Sequence, residues 1–168
     1  KNPSFFLSIH TLIFALLVLF GLFARAYKMP LIILYDEAAT YLDYCDGGFT
    51  SFLKILNTNN HLINTVLMKI SIITFGNDIF ALRLPSFVFG FTNLLLIYYI
   101  SKQLSGKLTA LISTFLYSSF PLLIHYESLA RGYSFKVTFT LLLFIACFNF
   151  LKIPSGVYLF IISFISSL

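Results

Sequence analysis

HLINTVLMKISIITF, residues 61–75, is the stretch on which the fold turns. It is apolar enough to suggest a membrane crossing. It is too short for one, since a helix needs roughly 20 residues to cross the hydrocarbon core of a bilayer. At 100° per residue, Leu62, Ile63, Val66, Leu67, Ile70 and Ile73 share one face. His61, Asn64, Thr65, Lys69 and Ser71 share the other, interrupted by Met68 and Ile72. The pattern suits a helix lying on a membrane surface better than one surrounded by lipid.

Longer apolar runs lie on both sides. Residues 5–24, 79–100, 108–124 and 135–151 are each expected to cross, and 157–168 begins a fifth span that stops short of a full crossing. The chain opens on Lys1 and ends inside an apolar run, so it reads as the N-terminal part of something longer. Ala24-Arg25-Ala26 has the shape of a signal-peptidase site. The run before it is longer than a signal peptide's apolar region, which favours a retained span. Composition agrees with a bilayer as solvent: 59% of residues are hydrophobic, 10% are charged, and Phe occurs 21 times. A water-soluble domain carries about a quarter charged residues. The expected fold is therefore all-α, a polytopic helix bundle with short helices at about 36–46 and 61–75 resting on one end.

The six acidic residues are segregated. Asp36, Glu37, Asp43, Asp46 and Asp78 lie between the first two long runs, and Glu127 lies between the third and fourth. With 61–75 on the surface, all six fall on one side of the membrane. The opposite side then holds Lys1, Lys102, Lys107 and Lys152 and no acid, as expected of a cytoplasmic face. Scattered basic residues and the lack of a basic run exclude a nucleic-acid partner. Cys45 and Cys147 lie in different environments and do not fix a redox compartment.

Asp36-Glu37 follows the first span closely. A carboxylate there can act as a base on a hydroxyl or bind a divalent metal; equally, Asp36 can cap a surface helix whose first turn carries Glu37. His61 can orient a phosphate, bind metal, act as an acid or simply sit among headgroups. In Glu127-Ser128-Leu129-Ala130-Arg131-Gly132-Tyr133, Glu127 and Arg131 are i, i+4 and would pair on a helix. Arg131 can instead take a phosphate, or anchor at the interface beside Tyr126 and Tyr133. Arg83, near the start of the second span, can bind phosphate or snorkel to the headgroups. No nucleotide-binding glycine loop, CxxC pair or HExxH motif is present.

Taken in order, Asp36-Glu37, Asn59-Asn60-His61-Leu62-Ile63-Asn64, Phe75-Gly76-Asn77-Asp78, Ala81-Leu82-Arg83-Leu84-Pro85-Ser86, Phe89-Gly90, Pro121-Leu122 and Tyr126 to Tyr133 resemble the membrane-embedded GT-C glycosyltransferases. The likeness is to bacterial relatives of protein O-mannosyltransferases and aminoarabinose transferases. Many relatives carry His-Pro-Pro where this chain has His61-Leu62-Ile63. The resemblance implies a sugar donor on a polyprenyl phosphate, used on the extracytoplasmic face of a bacterial cytoplasmic membrane, and a lipid, glycan or protein acceptor. It implies Asp36 as the base on the acceptor hydroxyl, Glu37 as its positioning partner and Arg131 as the residue neutralising the donor phosphate. Arg83 would join Arg131 on the phosphate, with His61 and Glu127 as further site candidates. No nucleotide cofactor is implied, and metal dependence varies across the fold. The competing class is a transporter or a non-catalytic lipid-binding subunit. Transporters place ionisable residues near the bilayer midplane, whereas these spans carry almost none. Catalysis in the family also draws on later spans, so this segment would hold part of a site.

Overall fold

A computed structural model describes residues 3–29, 32–46 and 62–166, with side chains from residue 9 onward. Among these residues the chain is helical and has no strand. The helices are α1 (Pro3–Lys28), α2 (Tyr35–Thr40), α3 (Leu62–Phe75), α4 (Ile79–Ser119), α5 (Pro121–Glu127), α6 (Tyr133–Lys152) and α7 (Gly156–Ser166). A π-helical turn, Tyr41–Cys45, extends α2. Three helices, α1, α4 and α6, are long and apolar enough to cross a membrane. The chain is thus an integral membrane protein of the expected all-α class.

The bundle is inside out by the standard of a soluble protein. On α1, Leu12, Leu16, Leu19 and Phe23 recur at helical spacing and are exposed, while Val18 and Arg25 on another face are buried. The interior is instead rich in small and polar groups: Ser86, Asn93, Ala110, Thr114, Ser118, Ser134, Thr138 and Ala146. Lipid gives apolar side chains no reason to leave it, so helices in a bilayer pack through small residues and interhelical hydrogen bonds. Gly21 and Gly90 show why size matters. A Cβ on Gly21 would stand 2.9 Å from Leu94 Cδ1 and 3.0 Å from Ser118 Cβ; one on Gly90 would stand 3.3 Å from both Arg25 Nε and Glu127 Cβ.

The α4 stretch consists of two helical arms joined at Gly106. Gly106 has φ 86° and ψ −174°, a conformation open only to glycine, and the chain reverses there. His10 of α1 meets both arms: its Nε2 lies 3.1 Å from the Lys107 carbonyl, and its ring faces Tyr98 at 6.0 Å. Glu127 likewise contacts Asn93 from the first arm and Tyr117 from the second. The second arm stops at Ser119, earlier than the run to 124 read from sequence. Phe120 is extended and Pro121 opens α5, because a residue before proline avoids the helical region and proline suits the first helical turn.

Beyond the end of α1, a layer forms from α2, the π-helical turn, α3, the start of α4 and the segment 128–132. Helix α3 turns its polar face inward, burying Asn64, Thr65, Lys69 and Ser71 with Met68, while Leu62, Ile70, Ile73 and Phe75 point out. Asp78 caps α4, its Oδ1 accepting from the Ala81 N–H at 2.6 Å. The surface helix expected at 36–46 begins at Tyr35, so Asp36 lies in its first turn, and Leu34, not Asp36, occupies the cap.

Candidate functional site

Consecutive residues on a helix point about 100° apart, and this separates the two acids of the Asp36-Glu37 pair. Glu37 faces inward and is wholly buried. Its carboxylate receives Arg83 through two nitrogens, Nε at 2.9 Å from Oε1 and Nη2 on Oε2. It also accepts the Leu34 N–H at 3.1 Å and the Ala130 N–H. Arg83 is buried as well, and its remaining donors reach the carbonyls of Met29 and Ile32. Asp36 faces outward. Its side chain is 59% exposed, and its Oδ2 stands 2.9 Å from Arg131 Nη1.

A second buried ion pair lies deeper, where α1, α4 and α5 meet. Arg25 donates to Glu127 through Nε, at 2.8 Å, and Nη2, and through Nη1 to the Gly21 carbonyl at 3.0 Å. The other oxygen of Glu127 accepts from Asn93 Nδ2 at 2.7 Å and the Tyr117 hydroxyl at 2.6 Å. Asn93 in turn accepts from Thr138 and donates to the Ser134 carbonyl, which ties in α6. A buried charge pair is tolerable only when its hydrogen-bonding capacity is filled, and here it is.

The segment 128–132 carries Arg131 and is held from four sides. Ser128 Oγ lies 2.7 Å from the Ile124 carbonyl and 3.1 Å from the Arg25 carbonyl, the Ala130 N–H donates to Glu37, Asn64 Nδ2 to the Ala130 carbonyl at 3.5 Å, and Ser86 Oγ to the Arg131 carbonyl. The Arg131 side chain is only 11% exposed and its guanidinium lies 5.6 Å from the Tyr133 ring centre. Tyr126 packs edge-on to Tyr133 at 4.8 Å. The i, i+4 pairing of Glu127 with Arg131 does not form, because α5 ends at Glu127 and the next residues leave the helix. Each takes another partner: Arg25 for Glu127 and Asp36 for Arg131.

Of the residues singled out from sequence, Asp36 and Arg131 meet at the surface of the layer. Glu37 and Arg83 meet directly beneath, and Glu127 lies in the deeper network. His61 falls outside the described residues. Arg25, Asn93 and Tyr117 escaped sequence reading. The available signal was a span-end arginine one turn after a glycine, Gly21, with a second glycine, Gly90, in a facing helix. Among the described residues no three His, Cys, Asp or Glu side chains gather to hold a metal ion. Burial pushes the Cys45 thiol up to about 11, partly offset by the charge of Lys69.

A sequence match defines the class: a membrane protein of the GT-C glycosyltransferase type, which the all-helical bundle fits. Residues 62–167, more than half of the chain, match the sequence model of the dolichyl-phosphate-mannose-protein mannosyltransferase family, and the chain belongs to that family. The match begins at α3 and takes in Arg83, Glu127 and Arg131; Asp36 and Glu37 precede it. No curated protein and no solved structure matches the chain.

Proposed function

We propose that this chain forms part of an enzyme that moves a sugar from a polyprenyl-phosphate carrier to an acceptor hydroxyl on the extracytoplasmic face of the membrane. The observation that carries the reading is the meeting of exposed Asp36 with Arg131 at 2.9 Å on the acidic end of the bundle. In the reaction, Asp36 takes the acceptor hydroxyl proton. The oxygen bonds to the sugar's anomeric carbon as the bond from that carbon to the phosphate oxygen breaks, and the polyprenyl phosphate leaves with the electron pair. Arg131 meets the charge that builds on the leaving phosphate. The lipid carrier accounts for an active end at the membrane surface.

The buried pairs suit support roles. Glu37 joins α2 to the Arg131 segment through the Ala130 N–H, and Arg83 neutralises it. With its guanidinium occupied by Glu37 and two carbonyls, Arg83 fits a positioning role better than a second phosphate ligand. Glu127 anchors the near end of the same segment through Arg25. In this reading the two arms of α4, the second prolonged by α5, make separate crossings between α1 and α6, and α3 rests at the acidic surface.

The test is transfer from a radiolabelled polyprenyl-phosphate sugar in membranes containing the full chain. Asp36→Asn is expected to abolish transfer while insertion and abundance stay normal. Undiminished transfer by that variant overturns the assignment of the base.

A further inference from the structure

We propose that the Asp36–Arg131 ion pair is a latch opened by the donor phosphate, so that the carrier-bound sugar must bind before the acceptor hydroxyl can be deprotonated. The inference rests on the reading of Arg131 as the donor-phosphate ligand and adds an order of binding to it.

The geometry requires the pair to part. In an inverting transfer the base and the leaving phosphate stand on opposite sides of the sugar carbon. Reacting atoms approach to about 3–3.5 Å, and a hydrogen bond lies beyond them on each side. A base and a phosphate ligand at 2.9 Å leave no room for a sugar between them. One of the two must move, and the structure indicates which. Arg131 is the more constrained of the two: the backbone of its segment is hydrogen-bonded to α2, α3 and α4, and its side chain is only 11% exposed with its guanidinium near Tyr133. Asp36 sits on the outer face of a six-residue helix with its side chain 59% exposed, free to change rotamer.

The contact is also one that a phosphate can displace. Arg131 Nη1 is close to Asp36 but makes no aligned hydrogen bond among the described residues, although the atom is buried. A half-exposed ion pair without that alignment is weak. A phosphate accepting two parallel N–H bonds from the guanidinium makes a stronger contact. On its arrival Asp36 is released from the guanidinium, and its carboxylate is free to turn to the acceptor hydroxyl. The base is therefore held back until the donor is seated, which limits contact of the activated site with water.

The experiment measures binding of farnesyl phosphate, a sugar-free carrier phosphate, to the full chain in zwitterionic nanodiscs. Removing the latch frees Arg131, so Asp36→Asn is expected to bind farnesyl phosphate about fivefold more tightly, although it is inactive in transfer. The gain is expected to vanish in an Arg131→Gln background. Asp43→Asn, which removes an exposed acid from the same surface layer, is expected to leave affinity unchanged. Equal affinity of wild type and Asp36→Asn overturns the latch. So does a gain that persists without Arg131 or appears equally in Asp43→Asn, because either result reports general repulsion of the phosphate. If Arg131→Gln fails to fold, the Asp43→Asn comparison still decides between latch and repulsion. A wild-type chain that does not bind farnesyl phosphate overturns the donor reading itself, and the latch with it.

Discussion

Asp36 and Glu37 are neighbours with the same charge, yet they answer to different environments. Glu37 is buried and holds the buried guanidinium of Arg83. Removing one partner of a buried pair strands the other, at a cost of about 3–5 kcal/mol. Glu37→Gln should therefore lower the thermal stability of the purified protein steeply. Asp36→Asn touches only a half-exposed pair and should change stability by less than about 1 kcal/mol, even though the proposed mechanism expects it to lose activity. Melting curves of the two variants in one detergent test the contrast, and equal destabilisation would contradict it. Cys45 gives a separate check. Its thiol is buried and shifted up to about 11, above the ordinary value, so at pH 8 it stays protonated with only a trace as the reactive thiolate. Alkylation of Cys45 in the folded protein should be negligible at pH 8 and accelerate only as the pH climbs toward 11. The DE pair was visible in the sequence as a candidate site, but nothing in two adjacent letters says which acid faces in. That is decided by where α2 starts, and Leu34 rather than Asp36 holds its cap.

At the scale of elements, three glycines fix how the helices meet. Gly21 and Gly90 let α1 and α4 approach closely enough for Arg25 to lie between them. Gly21→Ala should cost about 1–3 kcal/mol through overpacking, since the new Cβ meets Ser118 Cβ at 3.0 Å as well as Leu94. Gly106→Ala acts differently. There is open space around it, and its cost of about 1–3 kcal/mol is backbone strain at φ 86°. The two should therefore respond differently to Ser118→Gly. That change should recover part of the stability lost in Gly21→Ala and none of the loss in Gly106→Ala, as read by melting temperature. The helical runs were legible because each is a long apolar stretch. Their joints were less so. Residues 101–107 read as a loop; the connection is shorter than that, with helix on both sides of the single non-helical residue Gly106. The break at Phe120 was readable in principle, since Pro121 restrains the residue before it. The hydropathy of the run to Ile124 masked it. The inward polar face of α3 matches the two-faced pattern seen in sequence, with the protein supplying the polar side and the outer apolar face left for lipid.

At the scale of the molecule, charge is sorted along the bundle. The described acids all lie in or beneath the layer formed by α2, α3 and segment 128–132. The far end, at the α4 reversal, carries His10, Lys102 and Lys107. This sorting was legible from the acids alone, because they cluster at two places in the sequence. That Glu127 lies buried beneath the layer was not, since its partner Arg25 is 102 residues away. Burial also decides how the topology should be tested. A probe cannot reach position 127, but the neighbouring Tyr126 is 38% exposed, Asp36 is exposed, and Leu104 at the far end is 51% exposed. Single cysteines at 36, 126 and 104, in a Cys147→Ser background where buried Cys45 stays silent, can each be offered a membrane-impermeant maleimide in intact cells. If the acidic end is extracytoplasmic, positions 36 and 126 should label at once and position 104 only after permeabilisation. Positions 36 and 126 labelling from opposite sides would break the site apart. Labelling of both only after permeabilisation would keep the site intact and move it to the cytoplasmic face, where the basic end would then lie outside against the usual distribution of lysine.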